Sequence, residues 1–147
     1  GLNYRQQIIY NSKKLTIIND SKATTFSASE SLLKSLDNVH WIVGGLAKKG
    51  DKLLLSNKDS RNIKAYIFGK DKIFFVNKVK KVMKYESFSN LKILIKKIFL
   101  DIKDDKKFIH KTIFFSPAAA SFDNFNNFEE RGNYFNKLIK KYINDEL

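Results

Sequence analysis

Three short apolar runs, each stopping at small or turn-forming residues, limit the folds open to this chain more than any other feature. His40-Trp41-Ile42-Val43 stops at Gly44-Gly45, residues 65–68 stop at Gly69, and residues 112–115 stop at Ser116-Pro117. Unbroken apolar runs of this length predict strands buried on both faces, as in a parallel sheet. Because ligands of such sheets bind at the carboxyl ends of the strands, the loops after these runs are the expected functional positions.

The rest of the chain alternates predicted strands with predicted helices. Residues 4–10 and 15–19 predict a hairpin, and residues 25–36 predict a helix before the strand at 40–43. After the strand at 65–68 we expect a brief helix over 70–76, a weak strand over 82–85 and a buried strand over 112–115. Two further helices carry apolar residues at helical spacing, namely Leu91, Leu94, Ile95, Ile98 and Phe99 in the first, and Phe125, Phe128, Phe135, Leu138, Ile139 and Tyr142 in the closing one.

This alternation of strands and helices predicts an α/β fold. We expect a three-layer, Rossmann-like domain with a mostly parallel sheet and helices on both faces. A length of 147 residues fits a single domain over positions 1–147.

Composition narrows the class of protein further. Aromatic residues make up 14% of the chain, which is enough apolar surface to exclude an intrinsically disordered sequence. The absence of cysteine excludes disulfides, thiolate catalysis and cysteine-type zinc sites. No apolar run is long enough to span a membrane, and the chain does not open with a signal peptide. We therefore expect a cytoplasmic monomer with no membrane partner.

The strongly basic charge raises nucleic-acid binding as an alternative. The formal net charge is +13, from 28 basic and 15 acidic residues. Only three of the 28 basic residues are arginines, although phosphate and base recognition favour the planar arginine fork. Lysine, asparagine, isoleucine and phenylalanine share A/T-rich codons, and the lysines are scattered along the whole chain. We therefore expect no nucleic-acid partner, and a basic binding module stays the minor alternative.

The loop after the second predicted strand, residues 19–24, has two interpretations. Asp20, Ser21 and Thr24 are all residue types that cap helices, so the loop fits a plain capping sequence. Alternatively, a carboxylate, the Lys22 ammonium and hydroxyls beside a helix N-terminus suit an anionic or polyhydroxyl ligand.

The other two loops are also small-residue turns with polar side chains. The paired Gly44-Gly45, followed by Lys48, permits a tight turn and close approach of backbone to a ligand. Residues 116–132 place small residues and Ser121 directly after a buried strand, where hydroxyl and amide groups bind anions. The spacing of Phe125 and Phe128 favours one packed helical stripe, with Phe125 in the core.

Other catalytic patterns are missing from the sequence. There is no phosphate-binding P-loop and no Gly-x-Ser-x-Gly elbow. His40 and His110 are expected at strand edges with no carboxylate or second histidine at ligand spacing. We therefore expect structural roles for both histidines and no metal site.

Taken in order, the three loops resemble the C-terminal domain of the Mur ligases, and among these the members that add D-glutamate. The matching segments are NDSKAT at 19–24, GGLAK at 44–48 and SPAAASFDNFNNFEERG at 116–132. Sister ligases usually carry Tyr-Ala-His or Gly-Ala-His where this chain has Asp20-Ser21-Lys22. The resemblance extends from Tyr4-Arg5 to the last helix.

The resemblance implies an ATP-dependent ligase of peptidoglycan precursor synthesis. Its reaction forms an acyl phosphate on the alanine carboxylate of UDP-N-acetylmuramoyl-L-alanine, and the amine of D-glutamate then attacks, releasing ADP and phosphate. The implied D-glutamate-binding residues are Thr24, Lys48, Ser121, Phe122 and Phe128. The implied nucleotide-binding residues are Arg5, Asp20 and Lys22.

The resemblance also implies what the chain lacks. In this family the P-loop and the Mg²⁺ ligands belong to a central domain, so ATP and Mg²⁺ would be bound mainly outside this chain. We therefore expect no catalytic residue here, and an isolated domain that is inactive. A related ligase with another acceptor, such as a diamino acid, stays the main alternative within the family.

Overall fold

The computed structural model describes residues 3–146, which form six strands and four helices. The strands are β1 (Gln7–Asn11), β2 (Leu15–Asn19), β3 (Val39–Gly44), β4 (Ile63–Phe68), β5 (Lys84–Ser87) and β6 (Lys111–Phe115). The helices are α1 (Phe26–Leu33), α2 (Lys72–Val79), α3 (Leu91–Asp104) and α4 (Phe128–Glu146).

All six strands form one sheet in the order β1-β2-β6-β3-β4-β5. Only β1 is antiparallel to its neighbour, and the other four pairings are parallel. The last strand in the chain, β6, lies between β2 and β3 in the middle of the sheet. The predicted mostly parallel sheet is therefore confirmed.

Side chains of the central strands point alternately to the two faces of the sheet, which divides the core into two layers. In β3, Trp41 and Val43 pack with Phe26 of α1 and Phe75 of α2. Ile42, between them in sequence, packs on the other face with α3 and α4. Both faces are buried because successive strand residues point to opposite sides. The three-layer arrangement with helices on both faces is confirmed.

The periodicity of α3 accounts for its position on the sheet. Leu91, Leu94, Ile95 and Ile98 recur at helical spacing and are all buried, as predicted. The helix begins where the Asn90 side chain accepts a hydrogen bond from the amide of Ile93 at 2.9 Å. No helix within residues 3–146 is long and apolar enough to cross a membrane.

The closing helix begins three residues later than the spacing of its phenylalanines predicts. α4 starts at Phe128, after the Asn127 side chain accepts from the amide of Glu130 at 2.8 Å. Phe125 therefore lies in the preceding loop, half-buried, with its ring centre 5.7 Å from that of Tyr134. The predicted helical and core position of Phe125 is wrong.

Two strand boundaries also differ from the prediction, for local reasons. β1 begins at Gln7 instead of position 4, because Tyr4 and Gln6 have positive φ angles of 64° and 46° that a strand does not accommodate. β5 begins at Lys84 instead of position 82, because the amides of Val82 and Met83 both bond back to the carbonyl of Val79.

His40, the second residue of β3, lies near the end of its strand as predicted and is part of a chain of hydrogen bonds. Its Nδ1 lies 2.8 Å from the hydroxyl of Tyr66, which donates to the Asp101 carboxylate at 2.7 Å. Because the Tyr66 hydroxyl has one proton to donate, it accepts from the N–H of His40. Lys64 also donates to Asp101, at 2.9 Å. Burial lowers the pKa of His40 to about 4, although Asp101 opposes this shift.

We expect His40 to make the fold sensitive to mild acid. Above about pH 6.5 the residue is neutral in both states, but between pH 6.5 and 4 the unfolded chain binds a proton that the folded chain excludes. Urea unfolding should show the wild type losing on the order of 3 kcal/mol across this range, with the loss largely absent from His40→Gln. An equal loss in both proteins would contradict this origin.

Candidate functional site

Three loops meet at the carboxyl edge of the sheet, after β2, β3 and β6. They are neighbours because β6 lies between the other two strands. The amide of Asp20 donates to the carbonyl of Phe115 at 2.7 Å, and the amide of Gly44 donates to the carbonyl of Pro117 at 2.9 Å. The strand order thus brings together the three loops in which the sequence places functional residues.

The paired glycines allow the second loop to lie against the backbone of its neighbours. Gly44 and Gly45 have φ angles of 136° and 134°, which side-chain-bearing residues rarely adopt. A Cβ on Gly44 would overlap the carbonyl oxygen of Phe68, and one on Gly45 would lie 2.8 Å from the carbonyl oxygen of Ala120. The close approach that these glycines permit is therefore made to the chain's own backbone.

Asp20 is a buried residue of the first loop and lies beside the carboxyl end of β6. One carboxylate oxygen accepts from the amide of Gln6 at 3.0 Å, and the other accepts from the Ser116 hydroxyl at 2.6 Å. Burial raises the pKa of Asp20, whereas these hydrogen bonds and the nearby charge of exposed Arg5 lower it. Through these two oxygens Asp20 joins the first loop to the segment before β1 and to the start of the third loop.

The first loop does not cap α1, so the plain capping interpretation of residues 19–24 is wrong. The cap is Thr25, whose hydroxyl accepts from the amide of Ala28 at 3.3 Å. The amide of Phe26 donates to a carboxylate from the second loop, Asp51, at 2.9 Å. Thr24 is therefore an exposed residue with no capping role. The Asp51 carboxylate accepts the hydrogen bond of the first amide of α1, so that amide is not available to a ligand.

Asp51 is a positioning residue that the sequence analysis missed. Its amide closes the turn at Lys48, donating to the Lys48 carbonyl at 3.0 Å, while its side chain binds α1. The turn that carries Lys48 is thereby fixed beside the loop that carries Thr24. Lys48 and Lys49 are both exposed, and neither forms an ion pair within residues 3–146.

The third loop places its predicted residues in different environments. Ser121 is 3% exposed, and its carbonyl accepts from the amide of Phe125 at 2.9 Å. Phe122 is 70% exposed, so its side chain packs against little of the chain. Phe128, at the first turn of α4, is half-buried beneath the ammonium of Lys22, which lies 5.6 Å from the ring centre.

Arg131 joins the first loop to the third and was given no role in the sequence analysis. It is 1% exposed, and its Nε donates to the Ser21 hydroxyl at 3.0 Å. One terminal nitrogen donates to the carbonyl of Ala119 at 2.8 Å, and the other donates to the carbonyl of Ser21. Burial lowers the pKa of Arg131 to about 10, so the group stays charged at neutral pH. Its rarity is the available sequence signal, since only three of the 28 basic residues are arginines.

A cavity of about 370 Å³ lies near this edge, lined by Phe68, Asn90 and Tyr134 among others, and no predicted site residue lines it. Among the side chains that the structure describes, no group of three or more histidine, aspartate and glutamate residues is placed to hold a metal ion.

The fold resembles that of a known ligase. Its structural neighbours include the crystal structure of a murein peptide ligase from Psychrobacter arcticus, with a TM-score of 0.51 and 11% sequence identity. The likeness covers 95% of this chain and 30% of the ligase. At this identity the comparison shows a shared α/β fold.

The chain also resembles known proteins in sequence. No family model matches the chain. It is 33% identical over 142 residues to the UDP-N-acetylmuramoylalanine–D-glutamate ligase of Rickettsia prowazekii (strain Madrid E), covering 97% of this chain and 32% of that protein. It is 36% identical over 139 residues to the ligase of the same name from Rickettsia bellii (strain RML369-C), covering 94% and 30%.

Over more than nine-tenths of its length, the chain is therefore similar to these two ligases. The two sequence relatives are both UDP-N-acetylmuramoylalanine–D-glutamate ligases, and the chain spans about 30% of their length.

We expect replacement of Arg131 to destabilise the chain by releasing the two loops. Arg131→Met leaves the carbonyls of Ser21 and Ala119 without their charged donor, and should lower the free energy of unfolding by about 2–4 kcal/mol. Arg61→Met is the matched control, since Arg61 is exposed, and should change stability by less than about 0.5 kcal/mol. Urea unfolding midpoints measure both effects. Equal midpoints for Arg131→Met and Arg61→Met would show that the hydrogen bonds of Arg131 do not contribute to stability.

Proposed function

We propose that this chain is the C-terminal domain of a UDP-N-acetylmuramoylalanine–D-glutamate ligase, and that it binds the incoming D-glutamate. Identities of 33–36% to ligases of that name, over more than nine-tenths of the chain, support the proposal. Because the chain spans about 30% of the length of these relatives, catalysis would need the rest of the protein as well.

The assignment of the site rests on the polar side chains at the carboxyl edge that have no partner within the described chain. Both carboxylate oxygens of Asp20 and all three nitrogens of the Arg131 guanidinium are hydrogen-bonded within the chain. In contrast, the side chains of Thr24, Lys48 and Ser121 form no hydrogen bond or ion pair with other residues of the described chain. One ammonium and two hydroxyls, on three adjacent loops, are thus free to contact a ligand.

These free groups suit an amino acid with two carboxylates. An ammonium and hydroxyls donate charge-assisted hydrogen bonds to carboxylate oxygens, which are stronger than bonds between neutral groups. We assign Lys48, Thr24 and Ser121 to the carboxylates of D-glutamate. The backbone amide of Phe122 adds a donor without using its exposed side chain, and Phe128 would line the apolar part of the site.

Arg5 and Lys22 would contact the nucleotide, beside the first loop. Arg5 is exposed and close enough to Asp20 for its charge to affect that carboxyl, while Lys22 lies over Phe128. We assign Arg5 to phosphate, and Lys22 to the same nucleotide site. Asp20 would accept from a ribose hydroxyl with a remaining lone pair, since a carboxylate has about four acceptor positions.

Closure by the remainder of the ligase would complete the site. An acyl phosphate must be shielded from water, and the loops of this chain would provide one side of the shielded site. The described residues do not form a metal site, so we propose that Mg²⁺ and most ATP contacts belong to the part of the ligase outside this chain. We also propose that the ligase works as a monomer in the cytoplasm, where ATP and the UDP-linked substrate are available.

The substrate panel that tests this function uses the longer protein that contains this chain. We expect ATP-dependent phosphate release with UDP-N-acetylmuramoyl-L-alanine and D-glutamate, and none with L-glutamate or a diamino acid. The 147-residue chain alone should give no turnover. Turnover with a diamino acid instead would keep the ligase chemistry but contradict the assigned acceptor.

The adjacent lysines allow a matched test of the site itself. Lys48→Ala in the longer protein removes a charged donor to a carboxylate and should reduce kcat/KM for D-glutamate about ten- to a hundredfold. Lys49→Ala, which removes the same charge one residue further along, should have little effect. Equal losses would mean that only the net positive charge of the turn matters, and a loss confined to Lys49→Ala would move the site to that residue.

A further inference from the structure

The opposite edge of the sheet carries an exposed aromatic residue among lysines. The loop between α3 and β6, residues 105–110, passes beside the turn that joins β1 to β2. Phe108, near the middle of this loop, is fully exposed, and Ile109 beside it is 41% exposed. A large apolar side chain held entirely in water contributes no buried apolar area to the fold.

The charge around Phe108 is predominantly positive. Lys106 and Lys107 precede it, and Lys13 and Lys14 lie across a groove of about 380 Å³ that Phe108 helps to line. All four lysines are exposed, and none forms an ion pair with another described residue. Asp105, the acidic residue of this groove, is 3.7 Å from the buried ammonium of Lys111.

The loop is held in position by hydrogen bonds from β6. The Lys111 ammonium donates to the carbonyl of Lys107 at 3.2 Å and lies 3.5 Å from the carbonyl of Ile109. The amide of Lys107 donates to the Asp105 side chain at 3.0 Å, and the amide of Lys111 donates to the carbonyl of Lys14 at 2.9 Å. Phe108 is thus presented outward by a loop tied at both ends.

In contrast to the sequence-based expectation of no membrane partner, we propose that this surface, formed by Lys13, Lys14, Lys106, Lys107 and Phe108, docks the protein on an anionic lipid bilayer. Lysines beside an anionic membrane contribute electrostatic attraction, and an adjacent aromatic ring is buried among the headgroups. An aromatic ring also stacks on nucleic-acid bases, but all four cations of the surface are lysines, which lack the planar fork used for base and phosphate recognition. The observations therefore favour the lipid surface.

The position of the surface leaves the proposed D-glutamate site free. The lysines and Phe108 lie at the amino ends of β2 and β6, whereas the three loops of the candidate site follow the carboxyl ends of the same strands. Docking through one edge of the sheet would leave the other open to substrate. The proposal is independent of which acceptor amino acid the ligase uses.

Vesicle co-sedimentation of the 147-residue chain tests the proposal. We expect the chain to bind vesicles of phosphatidylcholine mixed with phosphatidylglycerol, to bind pure phosphatidylcholine much more weakly, and to dissociate as salt is raised. Phe108→Ser should weaken binding about tenfold, because the ring no longer enters the interface. The double variant Lys106→Gln/Lys107→Gln should weaken it about fivefold for each lysine removed.

Matched controls separate this surface from the general positive charge. Lys48→Gln/Lys49→Gln removes an adjacent exposed pair at the opposite edge, and Ile73→Ser removes a 78% exposed apolar residue of α2. Both should bind vesicles as the wild type does. The proposal is overturned if the controls lose as much binding as the loop variants, if vesicles do not bind, or if the loop variants weaken binding to duplex DNA while vesicle binding is unchanged.

Discussion

The geometry of the carboxyl edge depends on one buried cation. Arg131 is almost completely enclosed and donates to the first loop at Ser21 and to the third loop at Ala119. A charge removed from water is tolerated only where hydrogen bonds replace its hydration, and two backbone carbonyls and a hydroxyl do so here. Because the acceptors are loop carbonyls, the same bonds that satisfy the guanidinium also fix the loops relative to one another.

Aspartate side chains at the carboxyl edge accept hydrogen bonds from backbone amides instead of forming ion pairs. Asp51, Asp71 and Asp123 accept from the amides of Phe26, Ala47 and Lys70, respectively. The ion pairs among the described residues instead cluster around Asp101 and Asp105, toward the amino ends of the strands. In a chain with 28 basic and 15 acidic residues, this use of carboxylates leaves the lysines of the carboxyl edge available to ligands.

The sequence predicts the layers of this fold well because each layer follows from local periodicity. Trp41 and Ile42 alternate between two cores, and the apolar face of α3 repeats at helical spacing. The contacts of Arg131 with Ser21 and of Asp51 with Phe26 were not predictable, because they join residues 110 and 25 positions apart. The start of α4 was misplaced because Asn127 caps the helix, whereas the phenylalanine spacing continues across that boundary.

The central position of β6 has a consequence for how the site is assembled. β2 and β3 carry the first two loops, yet they are not neighbours until β6 inserts between them. Pairing strands that are so distant in sequence is slow, because loop-closure entropy is lost before the contacts form. During synthesis, the segments that carry Thr24 and Lys48 emerge well before β6. The first two loops would therefore be brought together only after β6 has been made, and a nascent chain that lacks β6 would carry them without the third loop and without their arrangement at the carboxyl edge.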